Sequence, residues 1–442
     1  MRFKKLLASL IAAGVSAGVY AQEAAAAAPA PPAIDKADSV WMIVATALVL
    51  LMTPALALFY GGMVHRKNVL NTMMMSFITM GVVSVLWVLV GYSLAFGKSP
   101  NGFVGGLEYL WGKDISFTTP YGTQTIPAAL FMLFQMKFAI ITPALISGAI
   151  AERVKFGGYP LFIVLWSLIV YAPTACWVWN ADGWLYKLGA LDFAGGTVVH
   201  LSSGVAALAL CIVLGKRKGA ATVPNNITLT LLGGGLLWFG WFGFNAGSAL
   251  AMNDVAIVSF LTTHLAAAIA MVSWLVAEKA VTGKMTAIGG ASGLVAGLVC
   301  ITPAAGFVDI SGSLIIGVLA GVVCFFGIQL KHKLGYDDAL DVVGVHGIGG
   351  LLGAILTGVL ASPEINSAVT KVALEGGRGG LITKQLIAAG AVGVFSLVVT
   401  LALAFLVSKT VGLRADDAQE EAGLDHSYHG EDAYGSIAPN SA

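Results

Sequence analysis

Asp192-Phe193-Ala194-Gly195-Gly196-Thr197-Val198-Val199-His200 opens an apolar run that continues to Leu214. About 20 residues of this kind are long enough to cross a hydrocarbon core roughly 30 Å thick as a helix. A carboxylate begins the run, and eight residues on, about 12 Å deeper at 1.5 Å per residue, an imidazole sits near mid-membrane. Ionisable groups at that depth are costly and mark functional sites. The run is the fifth of eleven, at roughly 40–62, 70–96, 124–150, 158–179, 192–214, 226–250, 254–280, 286–304, 311–330, 342–361 and 382–410. The expected fold is therefore an all-α polytopic membrane protein with eleven transmembrane helices.

Composition agrees. Of 442 residues, 57% are hydrophobic and 11% charged, whereas soluble proteins carry about 25% charge. A net charge of +1 leaves no basic excess for nucleic acid. Cys176, Cys211, Cys300 and Cys324 lie singly in apolar runs, without metal or redox spacing. The 55 glycines suit closely approaching helices.

Residues 1–21 read as a secretory signal peptide, with Arg2, Lys4 and Lys5 before a short apolar core and a small-residue end at Ala21. An Ala/Pro-rich stretch, 22–38, reads as a disordered external leader. Setting aside the signal peptide and Lys137, which lies inside a span, 13 lysines and arginines fall in alternate connections and 7 in the others. The positive-inside rule puts the 13 in the cytoplasm, with the N-terminus external, the C-terminus cytoplasmic and the chain in the inner membrane. Residues 39–411 divide into two five-span halves, about 39–218 and 224–365, and a last helix at 382–410. That is a 5+5 inverted pseudo-twofold repeat plus one helix, a plan that places a substrate path between the halves. The acidic tail, 412–442, reads from composition alone as a solvated cytoplasmic segment.

His346, in Asp341-Val342-Val343-Gly344-Val345-His346-Gly347, occupies the tenth span, the counterpart of the fifth. Gly196, Ser203 and Gly204 surround His200 at helical spacing, and Gly349, Gly350 and Gly353 surround His346. Small residues on those faces let two helices bring the imidazoles together. His264, alone in the seventh span, reads as a packing residue. In the sixth span Gly240, Gly243 and Gly247 form a packing stripe, with Trp241, Phe244 and Ser248 about 100° away facing a lumen. Phe134 and Phe138 share a face of the third span, with Gln135 beside them. Trp177, Trp179 and Trp184 mark the external end of the fourth as a belt or a mouth. Aromatic faces attract small cations, and phenyl rings across a pore strip their water. Lys137, next to Phe138, must face a neighbouring helix or protomer or meet a carboxylate.

At these residues the chain resembles the ammonium transporter family. The matching segments include Ala57–Gly62, Phe138–Pro143, Ala151–Arg153, Asp192–His200, Trp241–Ser248 and Gly344–Gly347. The resemblance implies a homotrimer in membrane lipid, each protomer with its own pore for NH4+/NH3. It implies substrate recruitment by Phe134, Trp179 and Ser248, a phenyl gate of Phe138 and Phe244, and twin pore histidines His200 and His346. Asp192 becomes a supporting carboxylate, and Gln135, Trp241 and Thr302 further pore or vestibule candidates. No enzyme activity, metal or cofactor is expected. The tail resembles an ordered C-terminal region where a PII-type (GlnK-like) regulatory protein docks. Competing readings are an ammonium sensor coupled to a signalling partner and a redox protein with His200 and His346 on a haem.

Overall fold

The computed structural model describes residues 32–218, 223–370 and 373–435. The expected signal peptide and the leader through residue 31 lie outside the described residues. Ten of the described helices are long and apolar enough to cross a membrane: α1 Lys36–Met63, α2 Arg66–Phe96, α3 Ala128–Ile150, α4 Gly158–Leu188, α5 Gly196–Leu214, α6 Ile227–Ala249, α7 Asp254–Thr282, α9 Ile310–Leu334, α10 Val343–Leu360 and α11 Gly377–Thr410. A shorter apolar helix, α8 Ala287–Ile301, makes the eleventh.

Short polar residues set many of the starts. Asp35, Asn226, Asn253, Thr286 and Asp309 each accept a backbone N–H from the first turn that follows, satisfying donors that lipid cannot. The expected leader over 22–38 is corrected at its end, because Asp35 caps α1 and Lys36–Asp38 already form its first turn. α8 is short because protein, not lipid, surrounds it. Residues 302–308 continue as buried turns, with Thr262 Oγ1 donating to Ala305 O at 2.7 Å and Asn366 Nδ2 to Gly306 O at 3.0 Å. Irregular backbone is tolerated at such depth only when so satisfied.

α3 and α5 are the most enclosed of the long helices, with 83% and 78% of their apolar windows buried, against 28% for α2 and 33% for α11. The inner helices carry the site, and the outer ones present apolar faces to lipid. The two halves are related where α5 and α10 cross. A Cβ on Gly204 would collide with the backbone of Gly347, and one on Gly350 would come within 2.7 Å of Leu201 N and 3.1 Å of His200 Cβ. In each helix the residue four past the histidine thus lies against the residue one past the other histidine.

One face gathers the basic connections. Arg217 bridges Glu152 and Asp337, each at 2.7 Å, Arg414 pairs with Glu420 at 2.6 Å, and Lys218 pairs with Asp417. The tail is built into this face, which corrects the solvated-segment reading through residue 435. Two short helices, α12 Asp417–Ala422 and α13 Leu424–His429, pack under α2. Asp425 accepts from Leu70 N at 3.0 Å and Asn71 N at 2.8 Å, capping α2 from 355 residues away;. Composition concealed this because Leu424 and Asp425, both fully buried, are a small minority of an acidic stretch.

Candidate substrate path

The path starts from how α5 begins. Gly195 takes φ +117°, a conformation that side chains oppose, and turns the chain back over Asp192. Asp192 Oδ1 then accepts from Gly195 N at 2.8 Å and Gly196 N at 2.6 Å, and Oδ2 from Thr197 N at 2.9 Å, Val198 N at 3.1 Å and the Thr197 hydroxyl. This one carboxylate caps the helix just outside its first turn. Gly196–Leu201 is wound as a π-helix, a widened turn common at functional sites.

α10 repeats the device. Val343–Ile348 is also π-helical, and Asp338 Oδ2 accepts from Val343 N at 2.7 Å. Asp338 stands eight residues before His346, as Asp192 stands eight before His200. Sequence reasoning missed Asp338, although the repeated spacing was there to be read.

The two beginnings meet at the imidazoles. His200 Nδ1 and His346 Nδ1 are 3.2 Å apart, and both rings are buried. In neutral rings one Nδ1 donates and the other accepts, so the two Nε2 atoms carry opposite roles, one acceptor and one donor. His200 Nε2 has no partner among the described residues. Both histidines line a narrow cavity of about 10 Å³ among Leu56, Tyr60, Ile141 and Leu237, about the room one water-sized molecule needs. An axially bound iron would hold the two nitrogens about 4 Å apart on opposite sides of the metal, at ~2 Å each. At 3.2 Å the two Nδ1 atoms leave no room for an iron between them.

Trp241 stacks on His200, centroids 5.4 Å apart, and its Nε1 donates to Thr302 Oγ1 at 2.9 Å. Phe244 and Phe138 lie above, with centroids 4.3 Å apart and planes at 32°. Beyond them opens a cavity of about 720 Å³ on the face opposite the tail, lined by Trp179, Ser248, Gln135 and Phe138 among others. Trp179 meets Phe138 edge-on at 5.8 Å, and its Nε1 donates to Asp192 O at 3.0 Å, tying the mouth to the α5 cap. Ser248 Oγ donates to Phe244 O at 2.9 Å, leaving its lone pairs free. Phe134 is fully buried, 4.9 Å from Phe138; it packs behind that ring and is not among the residues lining the large cavity. Gln135 Oε1 has no partner among the described residues.

The remaining candidates separate. Trp177 packs on Phe395 and Trp184, and His264 stacks on Trp238 at 5.1 Å. Gly240, Gly243 and Gly247 pack on Met52, Leu48 and Ala45 of α1. Lys137 is buried, with Nζ 3.6 Å from Met136 Sδ; of the expected surroundings, no carboxylate pairs with it among the described residues. Among the described residues no group of three His, Cys, Asp or Glu could hold a metal.

Comparison with known proteins adds the following. Residues 40–434 match the model of the Ammonium Transporter Family. The chain is similar to an ammonium transporter of Bacillus subtilis, 53% identical over 399 residues that span 90% of this chain and 98% of that one. The crystal structure of Saccharomyces cerevisiae Mep2 superposes with a TM-score of 0.80 at 38% identity, covering 87% of this chain and 88% of the other. A structure described as a sensor Amt protein superposes with a TM-score of 0.82 at 29% identity, covering 89% and 98%.

Proposed function

Since this chain belongs to the ammonium transporter family, we propose that it takes up ammonium by recruiting NH4+ at the Trp179–Ser248 mouth and passing NH3 along the His200–His346 pair. The observation carrying this reading is the direct contact of two imidazoles beneath a closed pair of phenyl rings. A bare cation in an apolar bore is costly, while neutral ammonia is not. At the mouth the Trp179 face offers cation–π attraction of about 0.5–2 kcal/mol, and the Ser248 hydroxyl accepts an N–H. At the gate water is stripped and the proton is shed. Below it the complementary Nε2 atoms give ammonia one acceptor and one donor, and the shared Nδ1 contact offers the proton its own route.

Proteoliposomes test this. Ammonium-evoked current and internal pH are read for the parent chain and for His200→Ala, His346→Ala and the double variant. Current should vanish in each folded variant while an uncharged or less selective flux persists. Undiminished current in the double variant would refute the relay. A parent chain that binds ammonium but moves none would favour the sensor reading, which the likeness to the sensor Amt protein keeps open.

The same reading places the tail and the basic connections in the cytoplasm and the mouth outside, in a trimer set in the inner membrane. Lys187, paired with Asp182 at 3.8 Å near the mouth, and Lys218 on the tail face provide labelling sites for that orientation. The tail-face surface formed by α12 and α13 is where a PII-type protein would dock.

A further inference from the structure

The cavity above the phenyl rings is far larger than ammonium needs, about 720 Å³ against ~10–15 Å³ for one water-sized molecule. Past Trp179 and Ser248 it runs outward between α2 and the 98–127 connection. Its wall there carries Tyr92, Tyr109, Tyr121, Tyr186 and Asp114. Tyr121 stacks flat on Phe131, centroids 3.6 Å apart and planes at 7°, and Tyr92 lies 5.4 Å from Tyr109. The four phenol groups make no hydrogen bond, and the Asp114 carboxylate no ion pair, among the described residues. Burial first, then the Glu108 and Asp114 carboxylates, holds the Tyr109 phenol above its ordinary range. Burial first, then Tyr109 and Tyr186, does the same for Tyr121. The Tyr109 and Tyr121 phenols therefore stay neutral, and all five groups line one cavity.

Aromatic faces, hydroxyl oxygens and one carboxylate with no counter-ion are the chemistry of an ammonium-type cation site. We propose that this outer chamber is a second cation site, distinct from the Trp179–Ser248 mouth, that holds ammonium and alkylammonium ions before the gate. Tyr121 presents the aromatic face, braced by Phe131, and Asp114 supplies the charge. Such a site raises the local substrate concentration above the mouth. As a station on the ammonium path the chamber rests on the function proposed above; as a cation site it does not.

Tetramethylammonium separates the two. It has no N–H, so it cannot use the Ser248 hydroxyl, yet it keeps the cation–π and charge attractions. Its binding is measured by calorimetry on the full chain in lipid nanodiscs, and its effect on ammonium current in proteoliposomes. The parent chain should bind it, and it should raise the ammonium concentration needed for half-maximal current while leaving the maximum unchanged. Asp114→Asn tolerates the φ of +58° at this position and should weaken tetramethylammonium binding about five- to tenfold, the scale of one lost interaction near 1 kcal/mol. Tyr121→Leu should do likewise, while Tyr121→Phe, which keeps the stacked face, and Ser248→Ala should bind as the parent does. Absence of binding by the parent chain, or binding by folded Asp114→Asn and Tyr121→Leu equal to the parent's, would overturn the chamber. Asp114-dependent binding in a chain without ammonium current would instead uphold the chamber as a cation site and overturn the transport reading.

Discussion

The starts of α5 and α10 are two versions of one device set in opposite surroundings. Each has a carboxylate eight residues before a histidine, a π-helical stretch that contains the histidine, and a small residue four past the histidine at the crossing. Asp192, however, spends both oxygens on four backbone amides and a hydroxyl. Asp338 places one oxygen on Val343 N and leaves Oδ1 without a partner among the described residues. The repeat preserves the geometry that delivers the imidazoles, and each end is adapted to its own neighbours.

The crossing offers the sharpest test of that shared geometry. A Cβ on Gly204 meets backbone that cannot move aside, whereas a Cβ on Gly347 finds its nearest neighbour at an ordinary 3.5 Å. Gly204→Ala should therefore separate the histidines, abolish ammonium current and cost about 3 kcal/mol or more as overpacking. Gly347→Ala should retain most of the current. Thermal unfolding in detergent and proteoliposome currents measure both; equal effects would mean that the crossing is not the constraint.

The carboxylates should differ next. Asp192→Ala strands several N–H groups and should cost about 3 kcal/mol along with most of the transport, since the Trp179 anchor on Asp192 O loosens too. Asp338→Ala loses one hydrogen bond, about 1 kcal/mol, and relieves a buried carboxyl. Matching melting losses would contradict the asymmetry.

Much of this was legible. Eleven apolar runs gave the helices to within about five residues, save the end of α4, which runs on to Leu188, because lipid imposes length and composition together. His200 and His346 stood out because they are polar where almost nothing else is. Asp338 did not, since Asp337 and Asp341 beside it make it look like one member of a solvated loop. Nor could periodicity reveal the π-helical turns, which depend on backbone hydrogen bonds that the side-chain pattern does not encode. Phe134 shared a face with Phe138 in the sequence, and only packing against Gly247 shows that it stands behind the gate. Lys137 meets the thioether of Met136, its own neighbour in the chain.

A smaller effect distinguishes two adjacent aspartates at the α10 end. Burial and the Asp341 charge, opposed by Val343 N–H and Lys331, push Asp338 up to about 6. A raised carboxyl favours the protonated form in the folded state, so its contribution to stability falls as pH rises from about 4 to about 6. Burial alone would raise Asp337, but its hydrogen bonds to Arg217 override that and hold it at about 2. Its contribution is present above about 4 and is lost as pH falls toward 2. Melting temperatures from pH 4 to 7 should show a decline that Asp338→Asn flattens. An unchanged slope in Asp338→Asn would assign it to other groups.

The cap that Asp425 places on Leu70 and Asn71 also bears on how the chain is made. At roughly 5–20 residues per second, the 355 residues between Leu70 and its cap take about 20–70 s to synthesise. Throughout that time the start of the second helix holds two amides whose native partner does not yet exist. The tail is thus the closing piece of the assembly, and a chain released without it lacks the cap on an early helix, a defect hundreds of residues from the break.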